Sequence, residues 1–174
     1  MNIRPLITLV FSLLAGMGSY GASAYDTNGA DEFSHLTLRG IQTIALDFNG
    51  FYGDVQRCGV SEDSLRSEIE RRLVQAGLKL IPRDQIAQTP QAALLLVDLH
   101  VDYASYYYYS YSVALKLKQK IPLADPQSYT SETVWTRGNN GIAEFSRLCK
   151  IYDETRALVD VFVAEHAAQN AAPR

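Results

Sequence analysis

The centre of the chain alternates between apolar and polar residues. Ala93, Leu95, Val97, Leu99, Val101 and Tyr103 occupy odd positions, and so do Tyr107, Tyr109, Tyr111, Val113, Leu115 and Leu117. A period of two marks a strand with one buried face. Opposed residues of an antiparallel pair share a face, so both odd sets meet on one side of a hairpin. A short loop at Ala104 to Tyr106 then sets Val97 opposite Tyr111 or Val113. Tyr107, Tyr109 and Tyr111 can join the core in this reading, and Tyr106 and Tyr108 point to the opposite, exposed side.

Weaker patterns flank this hairpin. Gly40 to Phe48 places Ile44, Leu46 and Phe48 on one face of a strand, which Asn49, Gly50 and Gly53 end as a loop. Ser61 is suited to cap a helix whose first turn holds Glu62 and Asp63; Leu65, Ile69, Leu73 and Ala76 follow at helical spacing, and Gly77 suits the residue just past its end. Leu78 to Ile81 predicts a short strand stopped by Pro82, with one helical turn at Asp84 to Ala87. A further strand is expected near Tyr129 to Arg137. Gly138-Asn-Asn-Gly141 reads as a turn, after which Ile142, Phe145, Cys149, Tyr152, Val159 and Phe162 form a helical stripe reaching about Ala168. The order β-α-β-β-β-β-α predicts an α+β two-layer sandwich, with helices on one face of a mainly antiparallel sheet. It occupies residues 38–168 as a single domain, between a flexible lead-in at 25–37 and a frayed tail at 169–174.

The first residues read as an address. Arg4 supplies a positive n-region, Leu6 to Met17 a charge-free apolar stretch, and Ala22-Ser23-Ala24 a small-residue cleavage site. The apolar run is shorter than the roughly 20 residues needed to span a bilayer. A signal peptide covering residues 1–24 is expected, cleaved after Ala24, with export to a periplasm. No cysteine lies near that site to accept a lipid anchor. Export changes how Cys58 and Cys149 are read, because an oxidising compartment favours a disulfide between them. Closing a loop of about 90 residues is worth ~4–5 kcal/mol in the chain-entropy picture.

Composition narrows the function classes. The 174 residues are 47% hydrophobic and 20% charged, which places the chain among globular proteins. A net charge of −3 offers no footprint for nucleic acid. The excess is in tyrosine: 11, against 6 phenylalanines and 1 tryptophan.

Catalytic patterns are missing. The chain has no G-x-S-x-G elbow, no phosphate-binding glycine loop and no H-E-x-x-H pair. His35, His100 and His166 fall in three unrelated elements. Asp98, His100 and Asp102 share the even face of one strand, where neighbours two apart can share a metal or let an Asp orient an imidazole. The same alternation describes a solvated strand face, so a metal-dependent hydrolase built on Asp98 and His100 ranks last. Lys116, Lys118 and Lys120 suit an edge or surface charge that discourages aggregation. No cofactor, metal or catalytic residue is assigned.

Tyrosine is the better lead. Six of the 11 lie between Tyr103 and Tyr111, interleaved with Ser105 and Ser110. Tyrosine presents a large amphipathic area while ordering only two side-chain angles, and serine adds adaptable hydrogen bonds. Tyr103, Tyr106, Tyr108 and Ser110 are therefore the expected partner-binding residues.

Several features together resemble a group of small exported bacterial envelope proteins. They are Leu38-Arg39-Gly40, the following strand, a helix ending Leu73-Val-Gln-Ala-Gly77-Leu-Lys-Leu80, the long hairpin and the terminal helix. The order is similar to the lipopolysaccharide-assembly lipoproteins, the penicillin-binding-protein activator lipoproteins and the N-terminal domain of the Tol translocation protein. The resemblance implies a non-catalytic accessory that docks on an envelope protein partner. It departs from both lipoprotein families by lacking a lipid-accepting cysteine. The alternative expectation is a small-molecule or lipid binder with a pocket between sheet and helices.

Overall fold

The computed structural model describes residues 38–50, 61–122 and 129–171. The expected signal peptide, the lead-in and Cys58 lie outside the described residues.

The chain runs β1 (Thr43–Asn49), α1 (Glu62–Gln75), β2 (Lys79–Leu80), a 3₁₀ segment (Arg83–Gln88), β3 (Ala92–Ser105), β4 (Tyr108–Pro122), β5 (Tyr129–Glu144), a 3₁₀ turn (Phe145–Arg147) and α2 (Lys150–Asn170). The five strands form one mixed sheet in the order β2-β1-β3-β4-β5. β1 lies parallel to both β2 and β3, while β3, β4 and β5 are antiparallel neighbours. The α+β class and the element order follow the alternation in the sequence.

The hairpin keeps the expected parity with a different register. Val97 pairs with Leu115, and Ala93 with Gln119, because the chain turns at Tyr106-Tyr107 rather than at Ala104 to Tyr106. Tyr106 takes a positive φ of 46°, which only the turn demands of it. A register shift between Tyr103 and Ser105 absorbs the mismatch. Tyr107 consequently sits in the turn and is 74% exposed, instead of joining the core.

The odd face carries the core. Ile44, Leu46, Leu95, Val97, Leu99, Val113, Leu115, Leu117 and Trp135 meet Leu65, Ile69 and Leu73 of α1 and Ile151, Tyr152, Val159 and Phe162 of α2. Trp135 and Phe162 meet edge to face at 5.2 Å, and Trp135 Nε1 donates to Glu165 at 2.8 Å, so the buried indole keeps a partner. The two helices are tied by Arg72 to Asp160 and by Arg156 to Glu68.

Local signals at α1 act as the sequence implies. Ser61 Oγ accepts from the Ser64 amide at 3.1 Å. Gly77, at φ 85°, ends the helix with Gly77 N–H to Val74 O and Leu78 N–H to Leu73 O, and Leu73 and Leu78 both enter the core. At the other end of the molecule α2 continues to Asn170, whose amide donates to Leu38 O and whose oxygen accepts from Gly40 N–H. His166 adds a bond from Nε2 to Ile41 O at 2.6 Å. The approach to β1 is thus pinned to the last turns of α2.

The expected turn at Gly138 to Gly141 is overturned: these residues lie inside β5. Neither glycine has a positive φ. Gly141 faces Tyr111, whose ring fills the place where a side chain would stand, with atoms 3.0–3.1 Å from a Cβ built there. Gly138 approaches the Val113 carbonyl, 2.9 Å from such a Cβ. Cross-strand packing therefore outweighs turn chemistry. Ile142 and Phe145 leave the helical stripe as a result, and α2 begins only at Lys150, after Cys149. A bulge at Val134, between the Leu117–Trp135 and Lys118–Thr133 pairs, also breaks the alternation expected in this strand.

Two measurements test this strand. Gly138→Ala should destabilise the protein by about 1–3 kcal/mol in urea unfolding, because its Cβ meets backbone. Gly141→Ala should cost less, since the atoms it meets end a movable side chain. Equal losses at both glycines would contradict the extended strand.

Candidate functional site

Exposed large apolar side chains gather at one end of the sheet. Tyr103, Tyr106, Tyr107, Tyr108, Ile142 and Phe145 lie there; elsewhere among the described residues only Val74 and Val161, both on helices, are comparable. The long strands β3, β4 and β5 reach this end together, and the β3–β4 turn forms its tip. Tyr103 pairs across the hairpin with Tyr109, ring to ring at 5.7 Å and edge to face, and Tyr109 stands 5.8 Å from Phe145. Three rings thus brace one another on the odd face, the arrangement aromatic quadrupoles favour.

The expected partner-binding residues are placed unequally. Tyr106 is 86% exposed at the tip and Tyr103 63%, while Tyr108 is nearly half exposed on the opposite, even face. Ser110 is half-buried, and its hydroxyl reaches Asp102 O at 3.4 Å. Ile142 and Phe145 join the patch although the sequence pattern assigned them to a helix. Their signal was the Gly138-Asn-Asn-Gly141 stretch, legible as strand only once Tyr111 lies opposite Gly141.

The patch is anchored below by polar bonds. Tyr111 Oη donates to Glu154 at 2.8 Å, and Asn139 Nδ2 donates to the other oxygen of that carboxylate at 3.1 Å. Burial first, and then the Glu154 bond and charge, push the Tyr111 phenol up to about 12, so it stays protonated at neutral pH. A cleft of about 350 Å³ opens beside it, lined by Tyr108, Ile142, Arg147 and Glu154 among others.

The even face of the sheet holds the second expected cluster. Asp98 is buried there at 7% exposure. Its Oδ1 accepts from Asn49 Nδ2 at 2.8 Å and lies 2.9 Å from His100 Nε2, and its Oδ2 is bonded to Lys116. One carboxylate therefore ties β1, β3 and β4. Burial acts to raise its pKa, but the bonds from Lys116 and Asn49, with the nearby charges, outweigh that and hold it below the ordinary 3.8. Both carboxylate oxygens are thus already engaged by protein groups. Asp102 takes no part through its carboxylate, and among the described residues no group of three His, Cys, Asp or Glu side chains is placed to hold an ion. Lys116 lies on the interior strand β4, so for this lysine the edge or surface reading is replaced by an internal tie.

Gly50 completes the packing there. At φ 83° it lies so close to β3 that a Cβ would stand 1.7 Å from Leu99 O. Only glycine fits.

The space between sheet and helices is filled by Trp135, Tyr152, Phe162 and Leu115, each buried to 1% exposure or less. Clefts lie at the periphery. One of about 570 Å³ is bordered by Arg39, Pro90 and Lys120.

The depressed Asp98 pKa carries a pH dependence. Its folded value lies below its unfolded one, so its contribution is present above about pH 4 and is lost as acid titrates the native carboxylate. Urea unfolding from about pH 5 down to about pH 2 should therefore show a steeper loss for wild type than for Asp98→Asn, with the variant less stable at neutral pH. Parallel acid limbs would remove Asp98 from the account.

No family model matches the chain, and no curated protein matches it. Among solved structures, the chain is similar to the PelC dodecamer from Paraburkholderia phytofirmans, at TM-score 0.41 and 12% identity over 77% of this chain and 91% of that chain. It is also similar to a minor lipoprotein from Acinetobacter baumannii, at TM-score 0.37 and 9% identity over 72% of this chain and 93% of that one.

Proposed function

We propose that this protein is a non-catalytic, exported periplasmic accessory that docks on an envelope protein partner through the tyrosine-rich end of β3, β4 and β5. The observation that carries the reading is the gathering of six large exposed apolar side chains at that end. Aromatic residues on a rigid scaffold are the usual anchors of protein interfaces. The tip here is a two-residue turn between long paired strands, so docking orders little chain. Export rests on the three-part pattern of residues 1–24, and no helix among the described residues is long and apolar enough to cross a membrane.

Chemistry at Asp98 is the weaker reading, because its oxygens are already bonded to Lys116, Asn49 and His100. A ligand pocket between sheet and helices draws no support from a layer interface filled by Trp135 and Phe162.

The disulfide between Cys58 and Cys149 belongs to the same proposal. Intact-mass measurement of protein purified without reductant should show the loss of two hydrogens, recovered on reduction. An unchanged mass would exclude the bridge.

The docking surface is tested by Tyr106→Ala combined with Tyr108→Ala. Truncating two anchors should cost at least ~2 kcal/mol, about thirtyfold in capture of partners from envelope extract. Both side chains are exposed, so thermal unfolding should stay close to wild type. A stable double variant that captures the same proteins as wild type would overturn the role of the hairpin tip.

A further inference from the structure

We propose that the outer edge of β5 pairs with the same edge of a second copy of this chain, giving a two-fold dimer centred on Asn140. The inference shares Ile142 and Tyr108 with the tyrosine-rich end and takes nothing from the docking role read for Tyr103 and Tyr106.

β5 ends the sheet, and among the described residues no strand pairs with its outer side. The Phe145 amide donates to the Tyr107 carbonyl, which turns the odd-numbered residues near this end toward β4. Ladder alternation then leaves the amides and carbonyls of Gly138, Asn140, Ile142 and Glu144 facing outward. The Asn140 amide shows this directly: its partner is the Asn139 side-chain oxygen at 2.9 Å, not a ladder carbonyl. A row of this kind is a template for another strand.

The usual protections are placed elsewhere. The bulge lies at Val134, and residues 136–144 contain neither lysine nor proline, while Lys116, Lys118 and Lys120 stand on the interior strand β4. The stretch does carry Arg137 and Glu144, but pairing centred on Asn140 sets Arg137 opposite Ala143 and Glu144 opposite Thr136 of the second copy, so no like charges face one another.

The spacing along the edge selects a second copy. In an antiparallel pair centred on Asn140, that residue faces itself, Gly138 faces Ile142 of the second copy, and Thr136 faces Glu144. Ile142 is 72% exposed and shares its face with Gly138, which has no side chain. Each copy's Ile142 thus covers the bare backbone at the other's Gly138, and the Thr136 hydroxyl meets a carboxylate. These contacts occur twice and close on themselves, as an isologous interface requires. Tyr108, one position along the same face on β4, extends the apolar contact. The bond from the Asn140 amide to Asn139 is exchanged for one to the facing carbonyl.

Sedimentation velocity over a concentration series should show wild type passing from monomer to dimer. Ile142→Lys should weaken that association at least ~tenfold while leaving thermal unfolding of the dilute monomer unchanged, since the side chain is exposed there. Register is read separately by oxidation: Asn140→Cys should form a covalent dimer, because two-fold pairing brings its own Cα atoms within disulfide reach. Thr136→Cys should not. A wild type that stays monomeric, an Ile142→Lys variant that associates like wild type, or Thr136→Cys cross-linking as readily as Asn140→Cys would each overturn the proposal.

Discussion

One apolar plane organises the molecule. β3 and β4 both place their apolar residues at odd positions, and the Val97–Leu115 register brings both sets to the same face. A one-residue slip would send every one of these side chains to the opposite face, so burial enforces the parity. β1 joins the plane through Ile44 and Leu46, β5 through Trp135, and both helices seal it. The bonds from His166 and Asn170 to Ile41, Leu38 and Gly40 then fix where α2 ends along the sheet. The covered length of the sheet follows from that placement.

The even face follows a different logic. Among the described residues no helix supplies apolar partners there, and polar groups satisfy one another. Asp98 does so by accepting from Asn49 and Lys116 and pairing with His100, which joins three strands at one carboxylate. A buried carboxylate without those donors would carry a large desolvation cost. The same residues that suggest acid–base chemistry in the sequence act in the structure as a cross-strand tie. Their protons and lone pairs are committed to one another.

The far end of the ribbon is where the two faces converge. β3, β4 and β5 extend to the Tyr106-Tyr107 turn, and their side chains there are aromatic on both faces. Tyr111 marks the change from core to surface. Its ring fills the place beside Gly141, its hydroxyl reaches Glu154 of α2, and the rings beyond it are increasingly open to solvent. β5 presents its even-numbered backbone groups outward at this same end, so aromatic surface and open edge are neighbours.

The sequence by itself determined the element order, the parity of the hairpin, the capping of α1 by Ser61 and Gly77, and the crowding of tyrosines near residue 106. These are local properties: alternation, helical spacing and turn chemistry act within a few residues. Tertiary structure alone decided the rest. Gly138-Asn-Asn-Gly141 carries strong turn chemistry, yet pairing with Tyr111 and Val113 draws it into β5, and Ile142 and Phe145 move from an expected helix to an exposed surface. The hairpin register also shifted, because the turn fell at Tyr106-Tyr107. Lys116 became an internal partner because β4 lies inside the sheet. Strand order and register join residues far apart in sequence, and no local pattern encodes which distant strand will fill the space beside a glycine.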